Sequence, residues 1–132
     1  MHQRHLLIIA HGSRRQASND EVRQLAERVA AQRGTDIDAV EVAFLELAEP
    51  SIPDGLSRCV AKGAAEIVVF PYFLAAGTHV VSDIPEAIDA FQITNPQVHV
   101  RLTPHLGASE TLPGAILGVV EKPLRQTQGS PA

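Results

Sequence analysis

The sequence predicts a single (βα)4 domain of three layers, with a four-stranded parallel sheet covered by helices on both faces. Short β-rich apolar runs alternate four times along the chain with segments of helical periodicity. The first run, residues 6–10, is apolar throughout, which is typical of a strand buried on both faces. The predicted domain covers residues 1–122, and residues 123–132, rich in Gln, Ser, Pro and Gly, are expected to form a flexible tail.

The composition argues against several classes of protein. Of the 132 residues, 45% are hydrophobic and 20% are charged, which allows a packed core and excludes wholesale disorder. A net charge of −4 argues against a general nucleic-acid-binding protein. The longest apolar stretch, residues 67–77, is shorter than the roughly 20 residues of a membrane span, and residues 6–10 are too short for the core of a signal peptide. We therefore expect a cytoplasmic protein with neither a nucleic-acid nor a membrane partner.

The sequence contains few aromatic residues that could fill the core. They make up 4% of the chain and include no Trp, so the interior has to be built from Val, Ile, Leu and Ala. The single cysteine, Cys59, excludes an internal disulfide and a cysteine-based zinc site. Because it falls in an apolar helical pattern, we expect a small buried core residue.

Capping signatures mark the predicted helices. Ser18, with Glu21 three residues later, forms a capping box, and Gly34 ends that helix as a C′ residue does. Ser51 and Ser82 are the predicted starts of the second and third helices. The four predicted strands cover residues 6–10, about 37–45, 67–70 and 98–102. The remaining boundaries are Gly63 at the end of the second helix, a loop over residues 71–81, Ser109 or Thr111 at the start of the fourth helix, and Pro113 in its first turn.

Side chains that can bind metals follow the predicted strands. His11 comes directly after the first strand, Glu46 after the second, His79 in the loop after the third, and His105 after the fourth. Because ligands of open parallel sheets bind beyond the carboxyl ends of the strands, we expect these side chains to meet at one rim. Imidazole and carboxylate suit iron, cobalt, nickel or zinc, and two His with one Glu leave coordination positions open. The sequence thus favours a reactive or transferring site for a divalent cation.

Each of these residues also has a plain structural interpretation. His11 can cap the turn from strand to helix, although an imidazole between a buried strand and Gly12 favours a function. Glu46 can be a solvated loop carboxylate like Glu49, and His105 can be a surface residue. The ligands are spread along the chain, and no local metal-binding motif joins them.

The sequence resembles the small CbiX-type sirohydrochlorin chelatases in three segments, LLIIAHGSR, AFLELAEPSI and VVFPYFLAAGTHVVSDIP. The resemblance extends from about residue 6 to residue 120. In that family a divalent metal is inserted into sirohydrochlorin on the way to cobalamin, siroheme or a nickel tetrapyrrole. The resemblance implies that His11 and His79 are catalytic and that His11, Glu46 and His79 bind the metal.

The resemblance also implies substrates and partners. The metal, Co²⁺, Ni²⁺ or Fe²⁺, is a substrate, and no permanently bound cofactor is expected. The short form of the family works as a homodimer that mimics a longer, fused form. Further candidates for contact with the carboxylate-rich macrocycle are Ser13, Arg14, Arg15, Thr78, Arg101 and His105. Of these, His105 stands where many relatives show only a Pro-Leu-Gly stretch, which leaves its role open.

Other functions fit some of the same residues. A non-catalytic carrier of metal or tetrapyrrole would use the same site, but it would saturate at one macrocycle per chain, whereas an enzyme turns over many. A histidine phosphatase also has His-Gly after its first strand, but it needs an Arg before that His, where this chain has Ala10. A flavodoxin-like protein needs a Ser-, Thr- and Gly-rich phosphate loop, which does not follow the first strand.

Overall fold

Four parallel strands form one sheet in the order β2-β1-β3-β4. The computed structural model describes residues 3–122, apart from the side chains of residues 79 and 81, so the predicted tail lies outside the described residues. The strands are β1 (Gln3–Ala10), β2 (Ala39–Phe44), β3 (Ala64–Pro71) and β4 (His99–Leu102). The four-stranded parallel sheet predicted from the sequence is confirmed, and β4 forms one edge of it, as its alternating pattern predicts.

Four α-helices follow the strands. They are α1 (Gln16–Gln32), α2 (Ile52–Ala61), α3 (Thr78–Thr94) and α4 (Leu112–Glu121), and a short 3₁₀ helix, Leu106–Ala108, precedes α4. In the sheet, β2 lies on one side of β1, whereas β3 and then β4 lie on its other side, so the crossover from β1 to β2 runs in the direction opposite to the next two. Because crossovers between parallel strands are right-handed, α1 covers one face of the sheet and α2 and α3, which contact each other, cover the opposite face.

The main core lies between the sheet and the helices α2 and α3. It contains aliphatic residues from the sheet and from both helices, with Leu7, Leu56, Ile67 and Val69 fully buried. Cys59 is also fully buried there, as the sequence predicts, and burial raises the pKa of its thiol to about 12 because the thiolate would lose its hydration. The composition of this core is the aliphatic one expected from the scarcity of aromatic residues.

The predicted start of the first helix is wrong, whereas its predicted end is confirmed. The helix begins at Gln16, so Ser18 lies inside it rather than capping it. At its other end, the Arg33 guanidinium donates to Ala30 O at 2.8 Å and to Ile37 O at 2.9 Å. Gly34 follows the C-cap Arg33 and so takes the predicted C′ position, but it has no left-handed backbone conformation.

The third helix also begins earlier than the sequence predicts. It starts at Thr78 with Gly77 as its N-cap, so the connection from β3 is shorter than residues 71–81 and residue 79 is helical. Ser82 therefore lies in the second turn rather than at the N-cap, and Pro85 is accommodated inside the helix. The other predictions are confirmed: Ser51 caps α2 by accepting the Asp54 N–H, Gly63 follows α2 with a φ of 104°, and Pro113 lies in the first turn of α4.

Helix α4 presents apolar side chains to the surface. Ile116, Leu117, Val119 and Val120 are between 52% and 74% exposed. Among the described elements α4 packs chiefly against the short 3₁₀ helix. Within residues 3–122, no helix has both the length and the apolar character needed to cross a bilayer.

A buried histidine lies near the amino-terminal end of β1, away from the loops at the carboxyl ends of the strands. His5 on β1 is 1% exposed, and its Nε2 is 2.9 Å from Gln3 Oε1. Its Nδ1 has no hydrogen-bond partner among the described residues. Burial lowers the pKa of His5, an effect that outweighs the opposing charges of Glu41 and Asp38.

This histidine should make the protein less stable in mild acid. Since the pKa of His5 is lower in the folded chain than its ordinary value of about 6.5, the unfolded chain binds more protons, and stability is lost as the pH falls below that value. Each unit of the shift corresponds to about 1.4 kcal/mol. Urea unfolding should be measured between about pH 7 and pH 5, the range in which histidine titrates. The free energy of unfolding should fall more steeply with decreasing pH in the wild type than in His5→Leu. His99→Gln, at an exposed histidine, should keep the wild-type slope, and an equal slope in His5→Leu would contradict the account.

Candidate active site

The ladder between β1 and β2 continues beyond the ends of both strands. Leu45 N–H donates to Ala10 O at 2.9 Å, and Glu46 N–H donates to His11 O at 3.1 Å. The backbone therefore brings two of the predicted metal ligands to the same part of the rim. Both residues are exposed, so a ligand can reach them from solvent.

A glycine allows the two loops to approach this closely. Gly12 has a φ of 91°, in the left-handed region that side chains disfavour. A Cβ built on it would lie 1.7 Å from Glu46 O and 3.4 Å from Phe44 Cβ. No other residue type can therefore replace Gly12 without moving His11 away from Glu46.

The turn that follows His11 is fixed by a side chain of α1. Asn19 is 2% exposed, and its Oδ1 accepts from Ser13 N–H at 2.9 Å while its Nδ2 donates to Ser13 O at 2.8 Å. The Ser13 hydroxyl accepts the Arg15 N–H at 3.0 Å. Ser13, a predicted substrate contact, is thus also the residue through which α1 holds the turn.

An aromatic ring supports the His11 imidazole from the neighbouring loop. The rings of His11 and Phe73 meet edge to face, with centroids 4.9 Å apart and an interplanar angle of 81°. Phe73 O accepts Gly107 N–H at 2.9 Å, and a Cβ on Gly107 would lie 1.7 Å from Leu74 O. The loop after β4 therefore braces the loop after β3, which in turn supports His11.

The loop that carries Glu46 is held by α1. Arg23 Nη2 donates to Glu49 O at 2.9 Å, and the guanidinium lies 5.0 Å from the centre of the Phe44 ring. Phe44 N–H donates to Pro50 O at 2.9 Å, which closes the loop on the free edge of β2. The carboxylate of Glu46 thus projects from a backbone that is held at both of its ends.

A cavity of about 240 Å³ opens beside the imidazole. It is lined by His11, Ser13, Asn19, Tyr72 and Phe73, among others. Tyr72 and Phe73 give the cavity an aromatic wall, and its lining is mainly apolar. Such a lining suits a flat, largely apolar ligand.

Other predicted site residues lie around this centre. Arg14 and Arg15 are exposed on the turn into α1, and Thr78 is exposed as the first residue of α3. His79 follows it in α3, but its side chain lies outside what the structure describes. The described side chains contain no group of three or more His, Cys, Asp or Glu that could hold a metal ion, so the predicted triad with His79 stays a prediction.

His105 and Arg101 are separated from the His11 cavity. His105 is half-buried and lines a different, apolar cleft of about 200 Å³ with Ile84 and Leu102. Arg101 lies on β4 with its Nε 3.8 Å from Glu66 Oε2. The structure therefore lines one cavity with His11 and Ser13 and holds the backbone of Glu46 against that of His11, and it does not place His105 or Arg101 with them.

Three residues that support the site were not predicted from the sequence: Asn19, Phe73 and Gly107. Asn19 had a signal, because it stands three residues before Val22 and seven before Ala26, on the stripe that faces the sheet. A polar amide on such a stripe needs a buried partner. Phe73 and Gly107 had no comparable signal, since their roles depend on contacts between two loops that are distant in sequence.

Comparison with known proteins assigns the chain to a family. The CbiX family model matches residues 5–122, which is nearly all of the described chain. The chain therefore belongs to the CbiX family, a class of α/β proteins to which the resemblance in its three segments already pointed. This also confirms the sequence-based recognition.

The similar curated proteins are chelatases. The sirohydrochlorin ferrochelatase of Priestia megaterium is 35% identical over 107 residues, which cover 81% of this chain and 40% of that protein. The chloroplastic sirohydrochlorin ferrochelatase of Arabidopsis thaliana is 39% identical, over 76% of this chain and 45% of its own length. The sirohydrochlorin cobaltochelatase of Methanococcus maripaludis is 37% identical, over 66% of this chain and 59% of its own length. The chain thus spans about half the length of the curated relatives it matches.

Solved structures share the fold. A CbiX protein of Marinobacter aquaeolei superposes with a TM-score of 0.76 and 31% identity, over 89% of this chain and 94% of that one. The sirohydrochlorin chelatase SirB of Bacillus subtilis subspecies spizizenii, in complex with cobalt, gives a TM-score of 0.78 and 29% identity, over 90% of this chain and 50% of that one. The three-layer α/β architecture is therefore the one that this family uses.

Replacing Gly12 should damage the rim more than the rest of the fold. In Gly12→Ala the methyl group overlaps Glu46 O and the backbone is strained, so we expect a loss of at least about 2 kcal/mol in the free energy of unfolding. Cobalt binding, measured by visible spectroscopy, should weaken at least tenfold, a change of about 1.4 kcal/mol.

The matched control is Gly34→Ala, because a Cβ at Gly34 meets nothing within 4 Å. It should leave stability within about 0.5 kcal/mol of the wild type and leave cobalt binding unchanged. Wild-type stability and cobalt affinity in Gly12→Ala would show that the close approach of the two loops is not needed.

Proposed function

We propose that this chain inserts a divalent metal, Co²⁺, Ni²⁺ or Fe²⁺, into sirohydrochlorin or a close tetrapyrrole. The observation that carries the proposal is the hydrogen bond between the backbones of His11 and Glu46 at the rim, beside a cavity with an aromatic wall. The family supports it, since curated relatives include both sirohydrochlorin ferrochelatases and cobaltochelatases. Nickel is included because the same ligand types suit it. The cytoplasmic location stays a prediction from the sequence.

The donor set suits a metal that has to leave again. An imidazole from His11 and a carboxylate from Glu46 supply borderline and hard donors, and His79 is the third ligand that the family resemblance implies. Three protein ligands leave positions open, through which the pyrrole nitrogens of the macrocycle can replace the protein. The metal is therefore held loosely, as a substrate rather than as a resident cofactor.

The reaction also releases two protons. The macrocycle gives up two pyrrole N–H protons as it takes the dication, so charge balances, and an imidazole can accept a proton near neutral pH. A protonated imidazole does not bind metal, so transfer of the metal to the macrocycle frees the nitrogen for the proton. In the proposal, His11 or His79 first holds the metal and then takes a proton.

The macrocycle would lie against the aromatic wall of the cavity. Tyr72 and Phe73 offer flat apolar surface, Ser13 also lines the cavity, and the exposed Arg14 and Arg15 follow Ser13 in the turn into α1. The cationic side chains are suited to the carboxylates of the substrate. Thr78, at the start of α3, is a further contact in this proposal.

A homodimer is part of the proposal. The match covers 50% of SirB, so that relative is long enough for a second unit of this size. The exposed apolar side chains of α4 provide surface for a second copy to cover. A dimer would supply the second half of the pocket.

Turnover decides between an enzyme and a carrier. Purified protein, incubated without oxygen with sirohydrochlorin and each of the three metals, should convert many macrocycles per chain, as followed by the absorption change on insertion. His11→Ala, His79→Ala and Glu46→Gln should lower the rate, the histidine variants by at least about 10²–10⁴-fold because metal binding and proton transfer are lost together. His99→Gln is the control, since His99 is exposed on β4 away from the rim.

The outcomes separate the alternatives. Conversion that stops at one macrocycle per chain, or a wild-type rate no higher than that of His11→Ala, would overturn the enzyme and favour a carrier of metal or tetrapyrrole. Sedimentation velocity on the same sample should give twice the mass of one chain. A monomer with full activity would contradict the dimer and leave the chelatase intact.

A further inference from the structure

We propose that Asn19 is a positioning residue, which sets the location of the His11 imidazole by holding the backbone of Ser13. The contacts themselves are features of the fold, and the kinetic consequence rests on the proposed function. The contacts and the kinetics therefore have separate tests.

The first argument is that Asn19 buries an amide on the face of α1 where the helical pattern otherwise has apolar residues. Asn19 and His5 are the two buried polar side chains in the described part of the chain. A buried amide is unfavourable unless its donors and its acceptor find partners. Asn19 stands on the stripe of α1 that packs towards the sheet, so its presence there needs a specific partner.

The second argument is the geometry of the contact. Asn19 Oδ1 accepts from Ser13 N–H at 2.9 Å, and Asn19 Nδ2 donates to Ser13 O at 2.8 Å. Both bonds go to the same residue, so the amide fixes the rotation of the Ser13 backbone as well as its position. A single hydrogen bond would leave that rotation free.

The third argument is the short path from Ser13 to the imidazole. Only Gly12 separates Ser13 from His11, and glycine is the residue that restrains the backbone least. On the other side, His11 O is held by Glu46 N–H at 3.1 Å. The turn is therefore fixed at both ends, and without Asn19 the flexible Gly12 would let His11 shift from its place against Phe73.

A purely structural role makes a different prediction. The N-cap residue of α1, Arg15, makes no side-chain capping bond. In the structural alternative, the sole role of Asn19 is to hold the start of this helix. In that case its loss would lower stability, but each folded chain would react at the normal rate. A positioning role predicts that the rate per folded chain falls and that the fall depends on His11.

The kinetic test is a double-mutant cycle. Asn19→Ala should lower kcat/KM about 10–100-fold, the range found when a group that orients an active-site ligand is removed. In a His11→Ala background the same change should have little effect, because the residue through which it acts is gone. Ala26→Gly is the matched control, since Ala26 is buried in the same helix and its change weakens α1 without touching the turn.

The structural test does not depend on activity. The ring of Phe73 shifts the NMR signals of the His11 imidazole, which packs against it edge to face. In Asn19→Ala these signals should move towards those of a free imidazole, and in Ala26→Gly they should stay. If Asn19→Ala does not fold, Asn19→Asp takes its place, because it keeps the size and the acceptor and loses the donor to Ser13 O.

The outcomes are distinct. Unchanged His11 signals in a folded Asn19 variant, or an equal loss of kcat/KM in both backgrounds, would overturn the positioning role. If the wild type inserts no metal, the proposed function fails, and the NMR signals still decide whether Asn19 positions His11.

Discussion

The hydrogen bond from Glu46 N–H to His11 O is the contact on which the rest of the site depends. At 3.1 Å it continues the pairing of β1 with β2 past the ends of both strands. The bond forces the two loops so close that Gly12 must do without a side chain. It brings the backbones of His11 and Glu46 together without any local sequence motif, because the register of the parallel strands sets the distance between them. The chemistry of the rim therefore depends on strand pairing set deep in the core.

The site is built in layers outward from that bond. Asn19 holds the turn after His11 from the side of α1, and Phe73 supports the imidazole from the loop after β3. Gly107 in turn fixes Phe73, through a backbone bond of 2.9 Å from the loop after β4. Loops from three strands thus converge on one imidazole. A residue that exchanges metal and protons needs such support, because small displacements of a reacting group are costly.

Much of this could be predicted from the sequence, because strands in a parallel sheet are continuous apolar runs and ligands gather at their carboxyl ends. That logic located His11 and Glu46 correctly at one rim. It failed where side-chain contacts that the hydrophobic pattern does not encode decide the local structure. At the end of α1 the Arg33 guanidinium binds carbonyl groups on both sides of the helix end, and Gly34, although it is the C′ residue, has no left-handed conformation. Likewise, the half-buried His105 follows β4 as expected, but it faces the apolar cleft beside α3, where only the tertiary packing could place it.

The central claim is that His11 and Glu46 bind the same metal ion. Anomalous diffraction from crystals loaded with Co²⁺ tests it most directly, because the position of cobalt is seen independently of any assay. The account predicts one strong peak at the rim, at ligand distances of about 2.0–2.2 Å from a His11 nitrogen and a Glu46 oxygen. Cobalt bound elsewhere, for example on the exposed His99 at the far end of the sheet, with none at the rim, would contradict it.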